Sequence, residues 1–242
     1  SVTRLVHVGK RSGRHSKDQK TIDRLIVEAA LAGEHVVRLK GGDPSIFGRA
    51  TEELHACRSA GVQVAVCPGI TAASAAAASV GRSLTLRGLA RKLIFVTAHA
   101  RADESLKIDW QSLADPEATL AIYMGKAAAE MISSQLRSGG LPGDTPVLLI
   151  ENASLPDEVH IATRLDLLPI AARALGIGPA LLLIGEAMRP AEGPGAMLDR
   201  DTFHQSSEVM VRSFAGISQA IQQDEVKPGS RGRRIRHTFG VR

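Results

Sequence analysis

Residues 38–49 read Arg-Leu-Lys-Gly-Gly-Asp-Pro-Ser-Ile-Phe-Gly-Arg, and they directly follow the β-branched pair at 36–37. A strand that ends in a glycine-rich turn is where open α/β sheets bind their ligands. The adjacent glycines Gly41 and Gly42 let a ligand approach the main chain closely, and Pro44 fixes the direction in which the chain leaves. The stretch favours an α/β fold with a ligand site at this turn. The alternative is a plain tight turn between a strand and a helix.

Helical and strand patterns alternate along the chain around this turn. A capping box over 16–19 opens a helix that ends at Gly33, before a strand over 35–39. A small-residue helix begins near Thr71. The other expected elements are a helix over 49–60, strands over 63–66, 92–97 and 119–124, a helix over 126–137, and strands over 146–151, 160–163 and 180–184. This alternation predicts α/β architecture, and a hairpin-like pair after Glu151 predicts antiparallel strands in the second half.

Length and composition limit the class of protein. The 242 residues fit one large or two small α/β domains, and 44% hydrophobic content is ample for a core. The two cysteines, Cys57 and Cys67, are too far apart for a CxxC pair, so neither a disulfide framework nor a zinc knuckle is expected. No apolar stretch is long enough to span a bilayer. We expect a cytoplasmic protein without membrane attachment.

The positive charge is concentrated at the C-terminus. The net charge is +5, but the acid-free stretch 227–242 holds six lysines and arginines, and the rest of the chain is close to neutral. Such a tail is typical of a solvated segment, and aromatic residues make up only 3% of the chain. We therefore expect no nucleic-acid partner. The scattered histidines and the absence of an HExxH motif also predict no metal site.

Four strand-end turns remain as candidates for chemistry. They lie at 41–44, 68–73, 123–126 and 151–153. A carboxylate such as Asp43 can accept hydrogen bonds from ribose hydroxyls, and Met124 can pack against a flat or sulfur-bearing ligand. The residue chemistry therefore indicates a cleft for a nucleotide-like small molecule.

The order of these motifs resembles a known family. The segments that carry the resemblance are 8–11, 37–49, 66–74, 120–125, 147–152 and 179–186. Over roughly residues 5–188 the chain is similar to the uroporphyrinogen-III C-methyltransferases of the tetrapyrrole methylase family. The resemblance implies two α/β domains with S-adenosylmethionine in the cleft between them. It also implies methylation of two ring carbons of uroporphyrinogen III, giving precorrin-2 for siroheme or cobalamin.

The resemblance also implies roles for individual residues. Lys10 matches a position with an acid role in catalysis, and no residue matches a metal ligand. The cofactor-binding positions are Gly41, Gly42, Asp43 and Ile46 in the first loop, Thr71 and Ala72 in the second, and Met124 and Ala153 from the second domain. Because the substrate carries many carboxylates, we expect basic side chains around the cleft. The candidates are Lys10, Arg11, Arg14, Arg38, Lys40, Arg49 and Arg87.

The expected domains are 1–84, 85–188, and an extra helix with a basic tail over 189–242. Family members form homodimers, so we expect one here. They begin with a strand, a Gly-Pro-Gly-Asp loop and a segment with a catalytic aspartate, which this sequence is expected to lack. Leu86 stands where the family usually has histidine. Two alternatives therefore stay open, a cofactor- or tetrapyrrole-binding protein without turnover and a methylase of a later cobalamin precursor.

Overall fold

The computed structural model describes residues 4–9, 17–99 and 108–189, and the backbone of 234–237. The helices are α1 (Gln19–Leu31), α2 (Ala50–Ser59), α3 (Ala72–Ser79), α4 (Trp110–Leu113), α5 (Ala129–Ser138) and α6 (Leu168–Ala174). The strands are β1 (Gln63–Val66), β2 (Lys92–Thr97), β3 (Ala118–Tyr123), β4 (Pro146–Glu151), β5 (Val159–Arg164), β6 (Ala180–Ile184) and β7 (Arg234–His237). The expected α/β class is confirmed.

The first two helices pack together through an apolar stripe. Helix α1 buries Ile22, Ile26 and Ala30, which recur at helical spacing, against Cys57 of α2 and Val62. Its N-cap is Asp18, whose carboxylate accepts the Thr21 amide at 2.8 Å. The expected capping box over 16–19 is therefore replaced by a single aspartate cap two residues further along.

The predicted strand over 35–39 is wrong. In this stretch only Val37 makes an isolated bridge. A strand needs a neighbour that accepts its backbone hydrogen bonds, and no such ladder forms here in the part of the chain that the structure describes. Strand β1 instead pairs in parallel with β7, in a register that places Val66 opposite His237. The extra helix expected after residue 189 lies outside the described residues.

The second half is built on a five-stranded sheet with the order β2-β3-β6-β4-β5. Strands β2 and β3 are parallel, whereas the β3–β6, β6–β4 and β4–β5 pairs are antiparallel. This arrangement confirms the antiparallel strands expected after Glu151. The C-terminal ends of β3 and β4 lie at the edge where β6 begins, because Tyr123 is opposite Leu181 and Glu151 opposite Ala180.

The two faces of this sheet bury different cores. One face packs against α4, α5 and α6 around Leu120, Ile122 and Leu149. The other face packs Ala121 and Ile150 against the alanines of helix α3, the small-residue helix of the first half. Helix α3 therefore brings its N-terminal turn to the sheet edge where β3 ends. Among the described residues, no helix has the length and apolar character to cross a bilayer.

Candidate functional site

The turn at Gly41–Pro44 packs against the turn at Pro68–Ala72, backbone to backbone. A Cβ placed on Gly69 would lie 2.7 Å from the Gly42 carbonyl oxygen, closer than real side-chain atoms approach. Gly42 has φ +84°, a conformation that glycine adopts at no steric cost. Its own Cβ position lies 3.5 Å from the Ile70 carbonyl oxygen. The two glycines are therefore required for this close approach.

Asp43 connects the two turns. Its Oδ1 accepts the Ser45 amide at 2.8 Å and the Ser45 hydroxyl, and its Oδ2 accepts the Gly69 amide at 3.0 Å. These bonds to the Ser45 hydroxyl and the Gly69 amide hold the pKa of the Asp43 carboxyl below its usual range. Asp43 is therefore ionised at neutral pH and fixes the first turn to the second.

Gly41 faces open space. A Cβ placed on it would meet no atom within 4 Å, and its φ is not in the left-handed region. Downstream, Phe47 and Arg49 do adopt left-handed φ angles of +51° and +54°, which non-glycine residues rarely do. Half-buried Ile46 donates its amide to the Asp43 carbonyl at 3.3 Å. The loop thus holds two residues in a strained backbone conformation and leaves Gly41 exposed.

Tyr123, the last residue of β3, joins the second turn to the sheet. Its hydroxyl hydrogen-bonds to the Thr71 hydroxyl and accepts the Ala73 amide at 3.1 Å. Thr71 is the N-cap residue of α3 but makes no side-chain capping bond itself, so the tyrosine hydroxyl satisfies this helix terminus. The Tyr123 ring also lies 4.9 Å, centroid to centroid, from Phe47 of the first loop. One side chain therefore contacts both cofactor loops predicted from sequence.

The sheet edge beside Tyr123 carries the remaining residues predicted for the site. Met124 has φ +55° and is 49% exposed, so its thioether is accessible to a ligand. Ala153 follows β4 at the same edge, and both Ala153 and Tyr123 pack against the apolar cluster that includes Ala121 and Ile150. The main-chain amide of Asn152 donates a hydrogen bond to the Pro179 carbonyl at 2.9 Å, which holds the loop before β6 in place. A groove of about 540 Å³ continues from Met124 between α5 and α6.

Three of the cations proposed for substrate carboxylates are paired within the protein. Glu53 is 1% exposed and lies 2.8 Å from Lys40 Nζ and 3.2 Å from Arg38 Nε. Burial lowers the pKa of the Lys40 ammonium, and the Glu53 carboxylate opposes that change. Arg49 pairs with Glu52 on the surface at 2.6 Å. Arg38 and Lys40 are thus committed to Glu53, while Arg87 is exposed on the loop before β2.

The structure brings most of the residues predicted for cofactor binding together. Gly42, Asp43, Thr71 and Ala72 form the two packed turns, and Gly41 and Ile46 belong to the same loop. Met124 and Ala153 reach the same region from the sheet edge. Lys10, predicted as the acid, lies outside the described residues.

Sequence reasoning gave no role to Tyr123 or Glu53. The signal for Tyr123 was its position at the end of a mostly apolar strand, where a hydroxyl needs a partner. Glu53 had a weaker signal, an acid on the apolar side of a short helix.

Comparisons with known proteins agree with this geometry. The model of the family "Tetrapyrrole (Corrin/Porphyrin) Methylases" matches residues 3–169. A uroporphyrinogen-III C-methyltransferase from Paracoccus denitrificans is 46% identical over 190 residues, 78% of this chain and 66% of that protein. A siroheme synthase from Gluconacetobacter diazotrophicus is 46% identical over 185 residues, 76% of this chain and 39% of that protein. The chain thus spans under two thirds of the length of these relatives.

A solved structure shares the architecture as well. The uroporphyrin-III C-methyl transferase from Thermus thermophilus, complexed with S-adenyl homocysteine, aligns with a TM-score of 0.61 and 36% identity. The alignment covers 71% of this chain and 75% of that one. The expected methylase-like fold is therefore confirmed. With a family model that covers more than half of the sequence, the chain belongs to the tetrapyrrole (corrin/porphyrin) methylase family.

Proposed function

We propose that the chain is an S-adenosylmethionine-dependent methyltransferase that methylates uroporphyrinogen III at two ring carbons to give precorrin-2. The supporting observation is the direct contact between the loops assigned to the cofactor. Gly42 touches the second turn at Ile70, and Thr71 in that turn bonds Tyr123, the neighbour of Met124. Relatives that carry this activity in their names, one of them complexed with S-adenyl homocysteine, support the same function.

The residues present fit such a cofactor. The open space in front of Gly41 leaves main-chain atoms accessible, and Asp43 presents an ionised carboxylate next to it. Oδ2, which accepts the Gly69 amide, has a second lone pair, so Asp43 can accept from a ribose hydroxyl there while it keeps its bonds to the two turns. Met124 offers an exposed thioether for contact with the flat base.

We assign positioning and exclusion of water to the residues of this chain. S-adenosylmethionine supplies a methyl group on a positively charged sulfonium sulfur, which a carbon nucleophile can attack directly. The packed turns hold a ligand in one orientation, and such alignment lowers a barrier by replacing a bimolecular encounter. Phe47 and Met124, both partly exposed apolar side chains beside Tyr123, can cover the reacting atoms from water.

The direct test is turnover by the 242-residue chain. Incubated anaerobically with S-adenosylmethionine and uroporphyrinogen III, the chain should add one and then two methyl groups to the tetrapyrrole. Mass spectrometry of the tetrapyrrole would detect both products. Binding of S-adenosylhomocysteine without product would select the binding-protein alternative. If the chain methylates only a later precursor in a panel of cobalamin intermediates, it is a methylase of that later precursor.

We propose a homodimer in a reducing cytoplasm as the setting of this activity. The two cysteines, buried Cys57 and exposed Cys67, are both free, which suits a reducing compartment. Desolvation also raises the pKa of the Cys57 thiol, so it stays protonated and inert. Sedimentation equilibrium would establish the dimer.

Asp43→Ala should weaken S-adenosylhomocysteine binding by at least about 1 kcal/mol, or about fivefold in Kd. The substitution removes a ligand acceptor and also the bond from Gly69 that joins the turns. Calorimetric titration gives the Kd directly. Because the pKa of Asp43 is lowered in the folded state, the parent affinity should stay constant through neutral pH and fall only in acid. An unchanged Kd for the variant would mean that Asp43 only forms the turn and does not contact the ligand.

Gly41→Ala should leave the fold intact and weaken cofactor binding by about tenfold, because the new methyl group enters the space that a ligand would occupy. The melting temperature and the calorimetric Kd test the two halves of this expectation. Gly33→Ala is the matched control. Its Cβ also meets no atom, but its φ of +89° makes the change destabilising, and it lies outside the turns. Equal affinity of Gly41→Ala and the parent chain would contradict a ligand in front of Gly41.

A further inference from the structure

A buried carboxylate holds the chain on the approach to the first turn. Glu53 projects from α2, is 1% exposed, and its two oxygens contact different cations. Oε2 lies 2.8 Å from Lys40 Nζ, and Oε1 lies 3.2 Å from Arg38 Nε. The Gln19 amide nitrogen of α1 lies 3.4 Å from Oε1. Both helices and the segment before Gly41 thus meet at one carboxylate.

The loop folds over the side chain of Lys40. That side chain is only 7% exposed, and its stem runs beneath Gly48. A Cβ on Gly48 would lie 3.3 Å from Lys40 Cε and 2.6 Å from the Pro44 carbonyl oxygen. The end of the loop at Gly48 therefore packs against the lysine stem, while the lysine ammonium contacts Glu53.

A buried ion pair is a poor source of stability, because desolvation offsets much of the attraction. Its clearest effect is to select one arrangement among several. In this cluster, the selected arrangement is the conformation of the residues that directly precede Gly41. We propose that Glu53 is a positioning residue that, through Lys40 and Arg38, holds the turn at Gly41–Asp43 in the conformation that receives the cofactor; this rests on the function proposed above.

The test compares Glu53→Gln with the parent chain in two measurements. In ligand-free protein, amide hydrogen exchange over 41–48 should become at least about tenfold faster, because the anchoring charge is gone. In calorimetry, the Kd for S-adenosylhomocysteine should rise about tenfold. Hydrogen exchange needs no ligand. If the parent chain fails to bind S-adenosylhomocysteine, that result counts against the proposed function, and the exchange rates over 41–48 still test whether Glu53 positions the loop.

A double variant separates positioning from the cost of an unpaired charge. Without Glu53, the buried ammonium of Lys40 keeps Arg38 as a like-charged neighbour, and an unpaired buried charge could by itself disturb the loop. The double variant Lys40→Met/Glu53→Gln has no unpaired lysine charge, but it also has no ion pair to hold the loop. It should therefore keep the fast exchange over 41–48 and the weak Kd of Glu53→Gln.

Two controls set the baseline. Glu28→Gln makes the same chemical change in an exposed pair with Arg24 on α1. Ser133→Ala removes a buried hydrogen bond to the Leu165 carbonyl in the second half. Neither should change exchange over 41–48 or the Kd. Parent-like exchange in Glu53→Gln would overturn the proposal, as would parent-like exchange and affinity in the double variant, because Glu53 would then only compensate the charge of Lys40.

Discussion

Gly69→Ala is expected to reduce S-adenosylhomocysteine affinity by at least about 100-fold, or about 2.7 kcal/mol. The new Cβ would lie 2.7 Å from the Gly42 carbonyl oxygen and 3.3 Å from Asp43 Cα. Both are main-chain atoms, so neither can rotate away as a flexible side chain would. The two turns must separate, which also breaks the bond from the Gly69 amide to Asp43. Calorimetric titration would measure the loss.

The matched control for this change is Gly61→Ala. Gly61 has φ +70° but nothing near its Cβ position, so the substitution should lower the free energy of unfolding by about 1 kcal/mol without moving either turn. Its Kd should equal that of the parent chain. If Gly69→Ala binds as tightly as Gly61→Ala, the close packing of the turns has no part in ligand binding.

Tyr123→Ala is expected to lower the free energy of unfolding by about 3 kcal/mol and to weaken ligand binding with it. The change removes ring contacts to Phe47 and Phe95 and the hydroxyl that serves Thr71 and the start of α3. Tyr123→Phe keeps the rings in contact and removes only the hydroxyl. It should cost about 1 to 2 kcal/mol and still raise the Kd, because Thr71 and the Ala73 amide lose their partner. Urea unfolding and calorimetry together separate these effects.

The same strand offers a control for loss of a hydroxyl. Thr119 is buried in β3, and its hydroxyl finds no hydrogen-bond partner among the described residues. Thr119→Val should therefore leave stability unchanged or slightly raised. A Tyr123→Phe variant that behaves like Thr119→Val would mean that the tyrosine hydroxyl does not support the second turn.

The glycine turns and the apolar strands could be predicted because the relevant chemistry is local. Adjacent glycines followed by proline specify a turn whatever surrounds them, and the apolar run of β4 matches a strand buried on both faces. The strand expected over 35–39 failed for the opposite reason. Its residues favour extended backbone, but a strand forms only when a neighbour supplies a ladder, and that neighbour is not specified by the segment itself.

The ion-pair partners of the charged residues also could not be predicted from the sequence. Lys40 and Arg38 precede the candidate ligand turn, so the carboxylates of the substrate implied by the resemblance suggested them as its partners. Glu53 is 13 residues after Lys40 on another element, and only the folded chain shows that its two oxygens contact both cations. The contact between Tyr123 and Thr71 spans 52 residues and two structural halves. Local patterns therefore predicted the candidate site, whereas the contacts that support its turns depended on tertiary packing.

Tyr123 is the only tyrosine in the sequence, and Trp110 is the only tryptophan. The tyrosine lies where helix α3 meets the sheet edge, while the tryptophan is buried on the opposite face, in the core around α5. Each therefore provides a natural spectroscopic label for a different region. In protein with isotope-labelled tyrosine rings, a single set of NMR signals would report on the junction of the two loops, and tryptophan emission would independently report on the core.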